Sequence, residues 1–264
     1  MYDLLPETID NFPQPTRSSR WLKIYCLRPA AAVRLYCFAH VGGTAAVYKH
    51  WPEFLSADLE LCAVQLPGRE ERHQESLCDD MDTVVKQLLT VILSDARPCI
   101  FFGHSFGSIL AFALASRLKK LGREPEMLIV SAKTAPHLPS KKLRSNLPRV
   151  QLLQELLSMG GTPASVLSDS AIMDRVLRIV RADYAVLESF RLSSYCEPLH
   201  CPIIAFAAVD DPYVSSAGVD AWGEYTDSTF VTHLLAGGHF YINNLPPKLF
   251  AVINSAAANI TARV

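Results

Sequence analysis

The sequence predicts an α/β fold, a mostly parallel central sheet flanked by helices. Three observations point there. Apolar runs of strand length alternate with helix-period stretches between positions 33 and 131. Cys99–Leu121 reads as strand, then Gly103-His104-Ser105-Phe106-Gly107, then helix. Strand-like runs return at Pro202–Ala208 and Phe230–Leu234 after a long gap. Alternation of this kind builds parallel strands joined by right-handed crossovers. With 264 residues, half of them hydrophobic, the chain suits one large α/β domain with a full core.

Residues 1–32 scatter Pro6, Pro13, Pro15 and Pro29 among polar residues. They read as a loose leader with a first edge strand near Trp21–Leu27. The opening MYDLLPETID carries three acids and no positive region, so no secretory signal is expected. Val33–Ala39 is a strand. It runs into His40-Val41-Gly42-Gly43-Thr44 and a helix-like Ala45–Leu55. Leu59–Leu66 is the next strand, closed by the turn signal Pro67-Gly68-Arg69. Glu70, Glu71, Arg72 and Glu75 mark an exposed loop. Asp79 or Asp80 caps a helix whose Met81, Val84, Val85, Leu88, Leu89 and Ile92 form one apolar stripe. Cys99–Phe102 is the strand entering the pentapeptide. Ile109, Leu110, Ala113, Leu114, Leu118 and Leu121 recur at helical spacing beyond it. Met127–Ser131 follows as a short buried strand.

The alternation stops at 135–200. Helix-like stretches within Lys141–Met159 and over Asp169–Phe190, divided by Gly160-Gly161-Thr162-Pro163, fit a helical lid at about 136–200. An insertion this long is more naturally helical than structureless, and a lid would exclude water. The sheet then resumes at Pro202–Ala208 and ends at Asp210-Asp211-Pro212. A helix over Ala217–Tyr225, the strand Phe230–Leu234, the loop Ala236–Phe240 and a helix from Pro247 to about Ala262 complete the chain. The expected organisation is a leader or edge segment at 1–32 and a single domain at 33–264.

Bulk chemistry excludes several classes. Net charge is −1, from 25 basic and 26 acidic residues, with no polybasic arm, so nucleic acid is not an expected partner. No apolar run reaches membrane-spanning length. Seven cysteines, at 26, 37, 62, 78, 99, 196 and 201, include no C-x-x-C pair and suit a reducing cytoplasm. No H-E-x-x-H or other cluster has metal spacing, so no metal is assigned. A monomer is expected.

The pentapeptide carries the chemistry. G-x-S-x-G between strand and helix is a nucleophile elbow, the turn that raises a serine at the sheet edge in α/β hydrolases. Glycines two before and two after Ser105 let strand and helix backbones approach. The Phe106 N–H opens the helix, where donors are unpaired and the dipole is positive, so it can hold an oxyanion. The glycine pair after Val33–Ala39 is where this fold places its second oxyanion donor. A serine hydroxyl needs a base, and histidine is the natural one. The chain order in this fold is Ser, acid, His. His239 follows a strand and two glycines and is read as the base. His233 alternates within a strand and is read as structural or surface. The acid must follow a strand upstream of His239. Asp210 and Asp211 both qualify, and Asp211 is favoured because the following proline extends it. Asp220 and Asp227 fit less well. His40 and His104 are read as supporting hydrogen-bonding residues.

Several segments together resemble the type II thioesterases of polyketide and nonribosomal peptide synthetase systems, over roughly residues 33–260. FAHVGGTAAVYKHW looks like F-x-H-A-G-G-S-x-x-x-Y, VQLPGREER like the P-G-R-x-x-R strand end, and FFGHSFGSILAFALA like the elbow. LLSMGGTPASVLSD and the Arg-Ala-Asp-Tyr helix look like the lid, CPIIAFAAVDDPYVSSAGVDAW like the acid segment, and GGHFYI like the histidine loop. Ala207-Ala208-Val209 departs from the family's usual G-x-D-D-P, and the leader has no counterpart. The resemblance implies Ser105 as nucleophile, Asp211 as orienting acid and His239 as base, with the Val41 and Phe106 N–H groups as oxyanion hole. It implies hydrolysis of acyl or aminoacyl thioesters from acyl or peptidyl carrier proteins, releasing units that stall a synthase. The substrate then brings its own phosphopantetheine arm and no cofactor is expected. Lys133, Lys141, Lys142, Arg144 and Arg149 form a candidate docking patch for an acidic carrier. The rival readings are an esterase acting on small esters or acyl-CoA, a non-hydrolytic binder of acylated carriers, and an acyltransferase.

Overall fold

The computed structural model describes residues 20–138, 143–161, 168–195 and 197–263. Among these residues seven strands form one sheet: β1 (Leu22–Lys23), β2 (Val33–Phe38), β3 (Leu59–Val64), β4 (Cys99–His104), β5 (Met127–Ser131), β6 (Ile203–Ala208) and β7 (Phe230–Leu235). Their order across the sheet is β1-β3-β2-β4-β5-β6-β7. Only the β1–β3 pairing is antiparallel; β2 to β7 run parallel. The chain goes from β2 to β3 in one direction, then crosses back over β2 to place β4 on its other side. At such a switch point a crevice opens at the carboxyl ends of the strands. Phe38 pairs with Gly103, so β2 and β4 end level and deliver their following loops side by side.

Strands buried on both faces read as continuous apolar runs, and the two faces of the sheet carry separate cores. Tyr36, Phe38 and Phe101 pack with the helices α1 (Met81–Leu93) and α2 (Phe106–Lys120). Leu35, Cys37 and Phe102 pack with Trp51 and with the C-terminal helix, Pro247–Thr261. Asp80 caps α1 by accepting from the Thr83 N–H at 2.8 Å. Two helices of the insertion, α3 (Arg149–Met159) and α4 (Ser170–Ser189), form a third, smaller cluster. In it Leu152, Met173, Leu177, Val180 and Tyr184 are buried and Val41 of the β2 loop packs against them. Beyond β6 come a short helix α5 (Ser216–Asp220) and, after β7, α6 (Pro247–Thr261).

Four elements differ from expectation. The helix expected over Ala45–Leu55 is two separate 3-10 turns, Ala45–Tyr48 and Trp51–Phe54, because Pro52 has no N–H to continue a helix. The helix expected over Ala217–Tyr225 is α5 followed by a 3-10 turn at Ala221–Tyr225. The first edge strand spans only Leu22–Lys23, and β4 extends past Phe102 to His104. Most of the expected leader, and part of the expected lid, lie outside the described residues.

Candidate active site

Ser105 sits between β4 and α2 at φ 55 and ψ −116, a backbone conformation that L-residues rarely adopt. The two glycines make that turn possible. A Cβ on Gly103 would lie 2.3 Å from the Gly107 carbonyl oxygen, and one on Gly107 would lie 2.0 Å from the Phe38 carbonyl oxygen. The turn is tied to β5 by the Ser105 N–H, which donates to the Ser131 carbonyl at 2.7 Å. Ser108 Oγ donates back to the Gly103 carbonyl at 2.8 Å. Strain of this kind costs of order 1–3 kcal/mol and persists only where the surroundings dictate it.

His239 Nε2 lies 3.1 Å from Ser105 Oγ, and its Nδ1 lies 2.7 Å from Asp211 Oδ2. Both the Asp211 and His239 side chains are buried. The expected serine, acid and histidine are therefore brought together from loops after three different strands. Asp211 is the one of the two candidate aspartates whose carboxylate meets the imidazole. Its other oxygen accepts from the Tyr213 N–H at 2.9 Å. Asp210 is exposed and contributes only backbone here, its N–H donating to the Gly237 carbonyl at 3.0 Å. That bond ties the acid loop to the histidine loop. The other candidates lie elsewhere: Asp220 accepts from Thr232 Oγ1, Asp227 pairs with His200, and His233 packs its ring against Phe206.

His104 Nδ1 lies 2.7 Å from Ser131 Oγ, which in turn bonds the Tyr241 hydroxyl. Burial, then the neighbouring His239 and His40, push the His104 imidazole well below its ordinary pKa, so it stays neutral. Burial likewise lowers the pKa of His40. His40 Nδ1 lies 2.9 Å from the Val41 carbonyl. A carbonyl only accepts, so Nδ1 carries the hydrogen.

The loop after β2 is folded around its own peptides. The Gly43 N–H donates to the His40 carbonyl at 2.9 Å. In a trans peptide the N–H points opposite to the C=O, so the Val41 N–H is turned away from that bond. Among the described residues neither the Val41 nor the Phe106 N–H has a hydrogen-bond partner. The Gly42 N–H, by contrast, donates to Asp183 Oδ2 of α4 at 2.8 Å. Asp183 also receives a two-pronged bond from the Arg69 guanidinium, at 2.7 and 3.0 Å, and Arg69 donates to the Gly43 carbonyl at 2.9 Å. Sequence reasoning assigned neither Arg69 nor Asp183 a role. The signal was there: Asp183 falls on the apolar stripe of its helix, three residues after Val180, where a solvated acid does not belong.

A cavity of about 500 Å³ joins these parts. Its walls include Val41, Gly43, Ser105, Val180, Tyr184 and Phe240. Leu156 and Met159 of α3 and Val176 of α4 close it from the insertion side. The lining is mainly apolar with few polar groups, the usual character of a small-molecule pocket. Among the described residues no group of His, Cys, Asp and Glu could hold a metal ion, and no helix is long and apolar enough to cross a membrane.

Of the expected basic docking patch, Lys133, Arg144 and Arg149 fall among the described residues. Lys133 lines a second cavity beside Arg144, Arg144 pairs with Glu155, and Arg149 pairs with Asp174. Lys141 and Lys142 lie outside the described residues.

A family model described as thioesterase domain matches residues 33–256. The gramicidin S biosynthesis protein GrsT of Aneurinibacillus migulanus is 34% identical over 85% of this chain and 88% of its own length. Thioesterase PikA5 of Streptomyces venezuelae is 32% identical over 88% of this chain and 83% of its own. Among solved structures, the type II thioesterase BorB from the borrelidin biosynthetic cluster superposes with a TM-score of 0.82. It is 34% identical and covers 92% of this chain and 100% of that one.

Proposed function

This chain belongs to the thioesterase domain family, and we propose that it hydrolyses acyl or aminoacyl thioesters held on the phosphopantetheine arms of carrier proteins. In this reading it works by an acyl-serine intermediate and clears units that stall a polyketide or nonribosomal peptide synthetase. Relatives named for gramicidin S biosynthesis and for the borrelidin cluster support that setting. The single observation that carries the chemistry is the unbroken line from Asp211 through His239 to Ser105, opening on a mainly apolar cavity.

Ser105 Oγ attacks the thioester carbonyl while His239 Nε2 takes its proton. Asp211 keeps the second imidazole hydrogen on Nδ1 and stabilises the imidazolium. The tetrahedral oxyanion is held by the Val41 and Phe106 N–H groups, each worth about 3–4 kcal/mol in comparable sites. The C–S bond then breaks, and the departing pantetheine sulfur receives the proton from His239. Water enters, loses a proton to the same nitrogen and releases the acid from Ser105. Helices α3 and α4 act as the lid of this cavity, shaping the acyl site and limiting water.

The test uses purified protein with a panel of acyl-loaded carrier domains, following release by intact mass. Wild type is expected to unload them at least about 10³-fold faster than Ser105→Ala. Equal rates for the two would overturn the reading. Faster turnover of simple oxygen esters than of carrier thioesters would favour the esterase alternative. Failure of a fluorophosphonate to label Ser105 would favour a binding protein.

A further inference from the structure

The buried pair Arg69–Asp183 performs a task beyond holding the insertion to the sheet. The peptide between Val41 and Gly42 is gripped at both ends. Its carbonyl accepts from His40 Nδ1 at 2.9 Å, and its N–H donates to Asp183 Oδ2 at 2.8 Å. The two flanking peptides are held to each other by the Gly43 N–H, which donates to the His40 carbonyl, and Arg69 donates to the Gly43 carbonyl. With these groups occupied, the Val41 N–H keeps no partner among the described residues and lines the same cavity as Ser105. Helix α4 also fills the space over Gly42. A Cβ there would stand 2.9 Å from Val180 Cγ2, and Gly42 has φ +75. Val180 and Asp183 are three residues apart and so lie on one helix face. One packs on Gly42 and the other bonds it.

We propose that Asp183, fixed by Arg69, is a positioning residue that sets the oxyanion loop by holding the Gly42 N–H away from the reacting atoms. This rests on the reading of the Val41 N–H as an oxyanion donor. If Gly42 were free, the Val41–Gly42 peptide could turn, and the donor before it would lose its orientation. Because the anchor is on α4, the state of the insertion and the competence of the oxyanion site are coupled. Lifting α4 from the loop breaks every bond to Asp183 at once, so an opened site cannot stabilise the tetrahedral intermediate. A closed one can.

Two double variants separate this task from simple structural support. Arg69→Met with Asp183→Leu removes the ion pair and the acceptor for Gly42. Arg69→Met with Asp183→Asn removes the ion pair but leaves an amide oxygen as acceptor. Replacing both charges avoids the cost of an unpaired buried ion. Each is assayed on a small acyl thioester and titrated with an alkylboronic acid, whose tetrahedral adduct on Ser105 occupies the oxyanion site. The Leu double is expected to lose about 10²-fold in kcat with KM within about threefold, and to bind the boronate correspondingly less tightly. The Asn double is expected to stay within about tenfold of wild type in both. Equal losses in the two doubles, or a Leu double with wild-type kcat or boronate affinity, would overturn the proposal.

Amide exchange on the wild-type protein gives an answer even where a double fails to fold. A protected Gly42 N–H beside a fast-exchanging Val41 N–H is expected, and the reverse would overturn the proposal. An inactive wild type, or a Ser105→Ala variant as fast as wild type, would instead remove the thioesterase reading itself.

Discussion

The sheet carries a buried ionic cluster at each end of its strands, and the two differ in what they hold. At the amino ends, Arg34 bridges Glu60 and Asp95, and Arg97 bonds Asp95 at 2.7 Å. Glu60 also accepts from the Arg28 N–H at 2.7 Å, while the Arg28 guanidinium satisfies the Pro52, Leu55, Ser56 and Leu59 carbonyls. All these residues come from the first hundred positions and tie the starts of β2, β3 and β4 together. At the carboxyl ends, Arg69 and Asp183 reach across more than a hundred positions to fix a loop beside Ser105. The lower cluster keeps some water: the Arg97 side chain is 27% exposed. The upper pair is dry, at 4% and 1%. An ion pair that only joins strands can stay partly wet, because modest screening costs little. One that must orient a peptide needs a fixed geometry, which a dry, two-pronged pair supplies. The amino-end cluster should therefore act on stability, and the carboxyl-end groups on rate.

The largest expected effect lies at the carboxyl end. Asp211→Asn leaves the acceptor for the Tyr213 N–H but presents an amide to His239 Nδ1, which favours the wrong imidazole tautomer. A drop of about 10⁴-fold in kcat with little change in melting temperature is expected. Asp210→Asn, which touches the site only through backbone, should stay within about threefold. Steady-state kinetics of the two variants check this, and a larger loss at Asp210 would reverse the assignment.

At the amino end the order inverts. Glu60→Gln leaves Arg34 and Arg97 with Asp95 but puts an uncharged amide in place of their second carboxylate, in a largely buried setting. A loss of about 3 kcal/mol in unfolding free energy is expected, with kcat per folded molecule unchanged. Chemical denaturation and active-site titration separate the two quantities. A fall in kcat would show that the two edges are not independent.

The contrast also explains what could be read from the chain. Ser105, Asp211 and His239 were legible although 134 positions separate the serine from the histidine. Their chemistry requires one another, and each sits in a recognisable loop after a strand. Choosing Asp211 over Asp210 needed only the extension imposed by Pro212. The parallel run of the sheet follows from the alternation of strands and helices; its strand order and switch point do not, since alternation leaves open on which side of β2 each later strand is added. The Arg69–Asp183 pair was not legible, because nothing in either local sequence names its partner. The charge on the apolar stripe of α4 shows that a partner exists without saying where. The same gap bears on the basic patch. Charges counted along a sequence say nothing of which ones fold inward, and Lys133 is one that does.

Lys133 gives the smallest effect, and it belongs to neither cluster. It follows β5 and lines a cavity of about 230 Å³ with Thr134, Arg144, Tyr184 and Glu188. Among the described residues no carboxylate pairs with it. Burial first, and then the Arg144 charge, push its amine down to about 8. In the unfolded chain it would titrate near 10.4. Between those values the unfolded state binds more protons, so stability rises with pH through that window. Below pH 8 the folded protein carries the full cost of enclosing an ammonium ion; above about 10.4 both states are neutral and the cost is gone. Lys133→Met should thus stabilise the protein by about 1–2 kcal/mol at pH 7. That is less than the roughly 3 kcal/mol a complete shift implies, because the partly exposed side chain keeps contact with water. The advantage should shrink steadily toward pH 10. Denaturation of both proteins at pH 7, 8.5 and 10 measures it. A gain constant across that range would trace to the added apolar contact rather than to charge, and the cavity would then owe nothing to an unpaired cation.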